Sequence, residues 1–252
     1  MKIQGNLIIF RMEEAERKDV RRLPEKKLQL LLDENNQFPA FPIDNQTPIK
    51  QLAEEKMEQI FQTSQFYIEQ LYTWGEPAYY TKTRELTVSY LGIIHQKKTS
   101  KMPANYSFLD IQITNEKQAS TQQVKLQNAQ KEICYTMDTE IKRERENIEY
   151  CHHVVGKAEI DELTAKVIHT GIKRLRNRIE NTNIAFSFLD KEFSLSELQQ
   201  VYEVILDKKL IPANFRKKIA PMVKKTKKVV KESAYRPAVQ YTFNEKFIRN
   251  WV

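Results

Sequence analysis

The stretch FSLSELQQVYEVILDKKLIPANFRKKIAP, Phe193 to Pro221, decides how the chain is read. Ser194 stands three residues before Glu197, the spacing of a capping box, in which each side chain satisfies an orphan backbone donor of the first helical turn. Leu195, Leu198, Val201, Tyr202, Ile205 and Leu206 then recur along one face. The link DKKLI leads to Pro212, and proline suits a first helical turn, where its missing N–H costs nothing. In PANFRKKIAP, Phe215 and Ile219 stand four apart and face inward. Asn214, Arg216, Lys217 and Lys218 point outward, and Pro221 closes the helix. Two helices joined by a short turn, the second short and basic, spell a helix-turn-helix. KKTKKVVKESAYRPAVQYTF (224–243) follows as a basic strand, a turn and an aromatic strand, which is a wing.

Charge points the same way. The chain of 252 residues carries a formal net charge of +8. Between Ile211 and Arg236 nine bases face one acid, so this segment holds the whole excess and the remainder sums to zero. Concentration of that kind is the footprint of a polyanion site. A helix end fits the major groove, amides and guanidinium groups read base edges, and lysines neutralise phosphates. From Asn214, Arg216, Lys217 and Lys218 on the helix and Lys224, Lys225, Lys227, Lys228 and Arg236 on the wing, we expect contacts to double-stranded DNA.

Other classes fall away. Apolar residues make up 40% of the chain, enough for a core, but no run approaches the ~18 that a membrane span needs. The N-terminal MKIQGNLIIFRMEE turns acidic too soon for a signal peptide, and two cysteines, Cys134 and Cys151, suit a reducing compartment. A cytoplasmic protein is expected. No serine or cysteine sits in a nucleophile motif. In CHHV, Cys151 and His153 share a strand face while His152 points away, and His95 and His169 are remote in sequence, so no metal site is expected.

Upstream, GNLIIF (5–10) and KLQLLL (27–32) read as strands around an exposed loop, and QFPAFPID (37–44) as extended chain. QTPIKQLAEEKMEQIFQTSQ (46–65) reads as an amphipathic helix on Ile49, Leu52, Ala53, Met57, Ile60 and Phe61. FYIEQLYTWGEP (66–77) and RELTVSYLGIIHQ (84–96) are strand-like, with the aromatics Tyr79 and Tyr80 between them. Residues 105–155 alternate as an antiparallel meander, and apolar spacing from Leu163 to Ile179 predicts one long helix over 160–180.

The blocks FSLSELQQVYE, NFRKK and RPA, in that order, resemble the winged helix of the Nudix-related transcriptional regulators. The match covers about the last 70 residues; FYIEQLYTWGEP resembles the strand after the Nudix helix, and Arg84 falls where these proteins place an arginine. The resemblance implies an α+β chain. A Nudix-like α/β/α sandwich sensor (1–158) precedes a linker helix (159–182) and a winged helix-turn-helix domain (183–252). It implies a homodimer on operator DNA, tuned by a small effector of the ADP-ribose or sugar type. Gln70, Tyr72, Trp74 and Arg84 are the expected ligand residues, and the basic end of the linker helix, Lys173, Arg174, Arg176 and Arg178, is expected to touch the DNA backbone.

The Nudix box is G-x5-E-x7-R-E-U-x-E-E-x-G-U, with U aliphatic. Its glutamates hold Mg2+ against a pyrophosphate. With Met57 in the aliphatic slot of R-E-U, the other defining positions become Phe41, Thr47, Glu55, Lys56, Gln59, Ile60 and Gln62. In that register no metal-binding glutamate survives, and neither cofactor nor catalysis is expected. A shift of one residue keeps Glu55 and Glu58 at carboxylate positions but forces Lys56 into the apolar slot; it describes the rival, a Mg2+-dependent Nudix hydrolase. An RNA-binding or scaffold role is the second rival.

Overall fold

The computed structural model describes residues 2–15, 23–76, 85–115, 120–156, 158–230 and 238–247. Arg84, Tyr79, Tyr80 and Arg236 lie outside them. Strand β1 (Lys2–Glu14) occupies the centre, with Leu7, Ile8, Ile9 and Phe10 all 0% exposed. A strand whose alternating side chains are buried both ways must be covered on both faces. It pairs in parallel with β5 (Glu85–Ile93) and antiparallel with β2 (Lys26–Asp33) and the short β3 (Ala40–Pro42). The sheet runs β4 (Tyr67–Trp74), β5, β1, β2, β6 (Tyr106–Asn115), β7 (Thr121–Gln127), β8 (Glu132–Glu144), β9 (Asn147–Val155). Its second half is the antiparallel meander read from the sequence.

Helix α1 (Ile49–Phe61) covers one face, packing Ala53, Met57, Ile60 and Phe61 on Leu7, Ile9, Leu31, Val88 and Tyr90. Gln62 ends it in a left-handed turn, φ 53°. Helix α2 (Glu162–Asn181) covers the other face; its cap Asp161 accepts from the Thr164 amide at 2.9 Å. Gly171 marks the closest crossing. A Cβ there would lie 2.6 Å from Ile8 Cδ1 and 3.2 Å from Phe10 Cζ.

The helix expected to link two domains is thus a layer of the sandwich. It touches both outermost strands, β4 and β9, so the sheet curls around it. On the β4 side Arg174 donates to the Leu71 carbonyl at 2.9 Å, and Arg178 pairs with Glu69 at 3.0 Å. On the β9 side the His169 ring lies 3.9 Å from that of His152, and Lys173 stands over Tyr150. Two sequence expectations are corrected here. His169, remote in sequence, is the neighbour of His152. Three of the four bases at the end of the helix are engaged within the fold: Arg174 and Arg178 hold β4, and Arg176 donates to the Ile205 carbonyl at 3.1 Å, while Lys173 is exposed.

After a 3-10 turn at Ile184–Phe188 come α3 (Leu195–Leu206) and α4 (Pro212–Ile219). A hairpin of β10 (Val223–Val230) and β11 (Ala238–Phe243) follows. Phe193 and Tyr241 exchange backbone hydrogen bonds at 2.9 and 2.7 Å, a single antiparallel bridge that ties the start of α3 to the wing. Leu198, Val201, Tyr202, Ile205, Phe215 and Ile219 share one continuous core with α2 and the sheet. Among the described residues no helix is long and apolar enough to cross a membrane.

Two predictions follow the α2 crossing. Gly171→Val puts a branched side chain where Ile8 and Phe10 leave no room; urea unfolding should show a loss of about 1–3 kcal/mol. Burial, aided by the like charges of His152, Lys173 and Arg176, pushes the His169 imidazole from 6.5 down to about 4. Between those values the unfolded chain binds a proton that the folded chain refuses, so stability falls as pH drops through this window, by on the order of 3 kcal/mol. A His169→Phe variant should show a shallower loss in unfolding curves at pH 7 and 4.5; an unchanged slope would assign the acid sensitivity elsewhere.

Candidate nucleic-acid interface

The reading surface is set by how α3 and α4 meet. The capping box is complete: the Glu197 amide donates to Ser194 Oγ at 3.2 Å, and the Ser194 amide donates to Glu197 Oε2 at 2.6 Å. Asp207 ends α3 with φ 52°. Glu203 then shapes the turn, since its carboxylate accepts from the Leu210 amide at 3.0 Å and pairs with Lys209 at 3.0 Å. Burial works against the charged carboxylate, but hydrogen bonds from Gln199, the Leu210 amide and Lys209 outweigh it and hold its pKa below the ordinary value. Pro212 opens α4, and Phe215 packs edge-on against Tyr202 with ring centroids 5.3 Å apart.

With Phe215 and Ile219 buried, Asn214, Arg216, Lys217 and Lys218 are exposed, as are Lys224 and Lys225 at the start of β10. Among the described residues none of these five cations enters an ion pair. Lys227 and Lys228 lie on β10 by their backbone. Among the described residues the structure thus places Arg216, Lys217 and Lys218 of the helix and Lys224 and Lys225 of the wing in one C-terminal unit.

The expected ligand residues fare differently. A register shift between Gln70 and Tyr72 breaks the β4–β5 ladder, and Leu71 turns into the core. Gln70 and Tyr72 are exposed. Trp74 is not: it is a core residue whose indole N–H donates to Ser89 Oγ at 2.9 Å, and Ser89 donates on to Asn6 at 2.6 Å. Its hydrogen-bonding edge is spent within the fold, a correction to the sequence reading.

On α1, Met57 is 0% exposed, while Glu55 and Glu58 face outward. Glu55 accepts from Gln51 at 2.9 Å, and Lys56 donates to Gln59 at 3.1 Å. Among the described residues no three His, Cys, Asp or Glu side chains converge to hold a metal ion. Sequence reasoning missed a cleft between β1, the turn after β5 and the winged helix, lined in part by Arg11, Glu13 and Gln240. These residues come from distant segments, so no local motif announces them.

Residues 185–243 match the family model of the NrtR DNA-binding winged helix domain. The C-terminal unit is similar to that domain. No curated protein matches the sequence. The chain superposes on a MutT/nudix family protein from Enterococcus faecalis with a TM-score of 0.66 at 15% identity, over 96% of this chain and 88% of that one. Shewanella oneidensis NrtR complexed with a 27mer DNA gives 0.65 at 17% identity, over 96% and 93%. The same NrtR alone gives 0.64 at 17%, over 97% and 94%. At such identities the likeness is one of fold: a Nudix-like sandwich followed by an NrtR-type winged helix.

Proposed function

We propose that this chain is a cytoplasmic, DNA-binding transcriptional regulator whose Nudix-like domain senses a small ligand without hydrolysing it. The observation that carries the reading is the strip of exposed, unpaired cations on α4 and β10 of an NrtR-type winged helix. Asn214, Arg216, Lys217 and Lys218 enter the major groove, with amide and guanidinium groups on base edges. Lys224, Lys225, Lys227, Lys228 and Arg236 take phosphates or the minor groove. A homodimer presents two such units to half-sites about one helical turn apart. The division into a sensor (1–158), a joining helix (159–182) and a reader (183–252) is part of the same proposal.

The sensor reading rests on Tyr72 and Gln70, exposed beside the β4 irregularity, with Arg84 as a bidentate partner for phosphate or carboxylate. An ADP-ribose-like nucleotide or a sugar suits an aromatic face beside an amide. The non-catalytic reading is supported by Met57 in the buried aliphatic slot, the register that puts Lys56 and Gln59 where a hydrolase holds Mg2+.

Fluorescence anisotropy on the chain's own upstream duplex, against a scrambled duplex, tests the first claim. Specific binding should weaken with salt. Each of Lys217→Ala and Lys224→Ala should lower the salt slope by about 1, while Arg216→Ala should cost about 1–3 kcal/mol on the native site alone. Equal weak binding to both duplexes sinks the reading. Incubation with Mg2+ and ADP-ribose should yield no product; turnover lost in Glu58→Gln would instead establish the hydrolase.

A further inference from the structure

Between the sheet and the winged helix lie two cavities of about 820 and 270 Å3. Both are walled by Glu14, Gln96, Glu197 and Gln240, so they are two lobes of one cleft. Its larger lobe falls in the size range of small-molecule sites, and cleft sites favour the joint between two units.

Gln240, on β11, is the decisive residue. It is only 8% exposed, yet among the described residues its side-chain amide has no hydrogen-bond partner; its backbone carbonyl alone is engaged, by Thr226. Gln240 lines both lobes, and a primary amide offers two donors and an acceptor to whatever enters. Gln96, across the cleft, accepts from the Glu14 amide at 3.1 Å through Oε1, and its Nε2 is unengaged among the described residues.

The charges of the cleft select the ligand. Among the described residues every cation on its walls is committed. Arg11 donates to Gln29 and Thr99 at 2.7 Å each and pairs with Glu13 at 2.8 Å. Lys97 pairs with Asp190 at 2.5 Å, and Lys26 pairs with Glu14. Glu13, Glu14 and Glu197 each use one oxygen and keep the other unpartnered among the described residues. Among the described residues, an anion entering here meets carboxylates and no free cation. A hydroxyl group fits, because it donates to a carboxylate and accepts from an amide at once. We propose that this cleft binds an uncharged ligand bearing adjacent hydroxyls: a free monosaccharide, or the ribose of an unphosphorylated nucleoside. Such a ligand touches β1 on one side and α3 and β11 on the other, and so bridges sheet and reader.

Isothermal titration calorimetry on the full chain, without DNA, tests this apart from the DNA reading. The panel is neutral pentoses and hexoses, nucleosides, and the phosphate esters of each. One neutral class should bind, its phosphate esters at least about tenfold more weakly, and the class that binds names the source. Gln240→Met and Gln96→Leu should each weaken binding by about tenfold or more. The Tm of ligand-free Gln240→Met should not fall, because the side chain removed had no partner to lose. No binding by any panel member at about 10 mM, tighter binding of the phosphate esters, or unchanged binding in both variants would overturn the proposal.

Discussion

The crossing of α2 over β1 at Gly171 is the contact on which the rest of the molecule depends. Only a residue without a Cβ lets the helix axis sink onto Ile8 and Phe10. Seated that deep, α2 reaches both outer strands of a nine-stranded sheet that would otherwise leave two open edges. The β4 edge is held by charge. Glu69, its side chain 14% exposed, lies between Arg178 at 3.0 Å and Arg174 at 3.5 Å and accepts from the Tyr67 hydroxyl at 2.7 Å. Burial and that carboxylate push the Tyr67 hydroxyl up to about 12. Removing either arginine would leave a largely buried charge undercompensated, a far greater loss than an exposed pair represents. The β9 edge is held by the tilted contact of the His152 and His169 imidazoles, whose pKa values burial lowers, and by the Lys173–Tyr150 contact.

That seating also decides how the reader is attached. The winged helix does not hang from a tether. Its α3 and α4 extend the core that α2 and the sheet begin, and Arg176 ties the last turn of α3 to α2. Lys97 and His95, just after β5, face Asp190 on the approach to α3, and burial lowers the His95 imidazole despite that carboxylate. Sheet and winged helix therefore meet in a packed joint. Packed joints move between discrete arrangements instead of bending gradually. The cleft that Gln240 lines lies within this joint.

Particular residues mark where the sequence was legible. Ser194 and Glu197 signal a cap because a capping box needs nothing beyond four consecutive residues. Phe215 and Ile219 signal a buried face because helical period alone places them together. The meander was legible in the same way, from alternation. Trp74 was misread: an aromatic beside a turn looks the same in sequence whether its ring faces a ligand or the core. Arg174, Arg176 and Arg178 were misread too. A run of bases on a helix looks like a solvated or DNA-facing strip until strands close on it from either side.

The sequence by itself determined everything that depends on neighbours within a few residues: the caps, the helical faces, the alternating strands, and the concentration of positive charge between Ile211 and Arg236. Only the tertiary structure decided what depends on chain segments that are not neighbours in sequence. It made α2 a layer of the core, set His169 against His152, and walled a cleft with Arg11, Gln96 and Gln240. The reason is physical. Local hydrogen bonding and periodicity are written in adjacent residues, whereas the partner of a buried polar group is fixed only when distant surfaces close over it and exclude water.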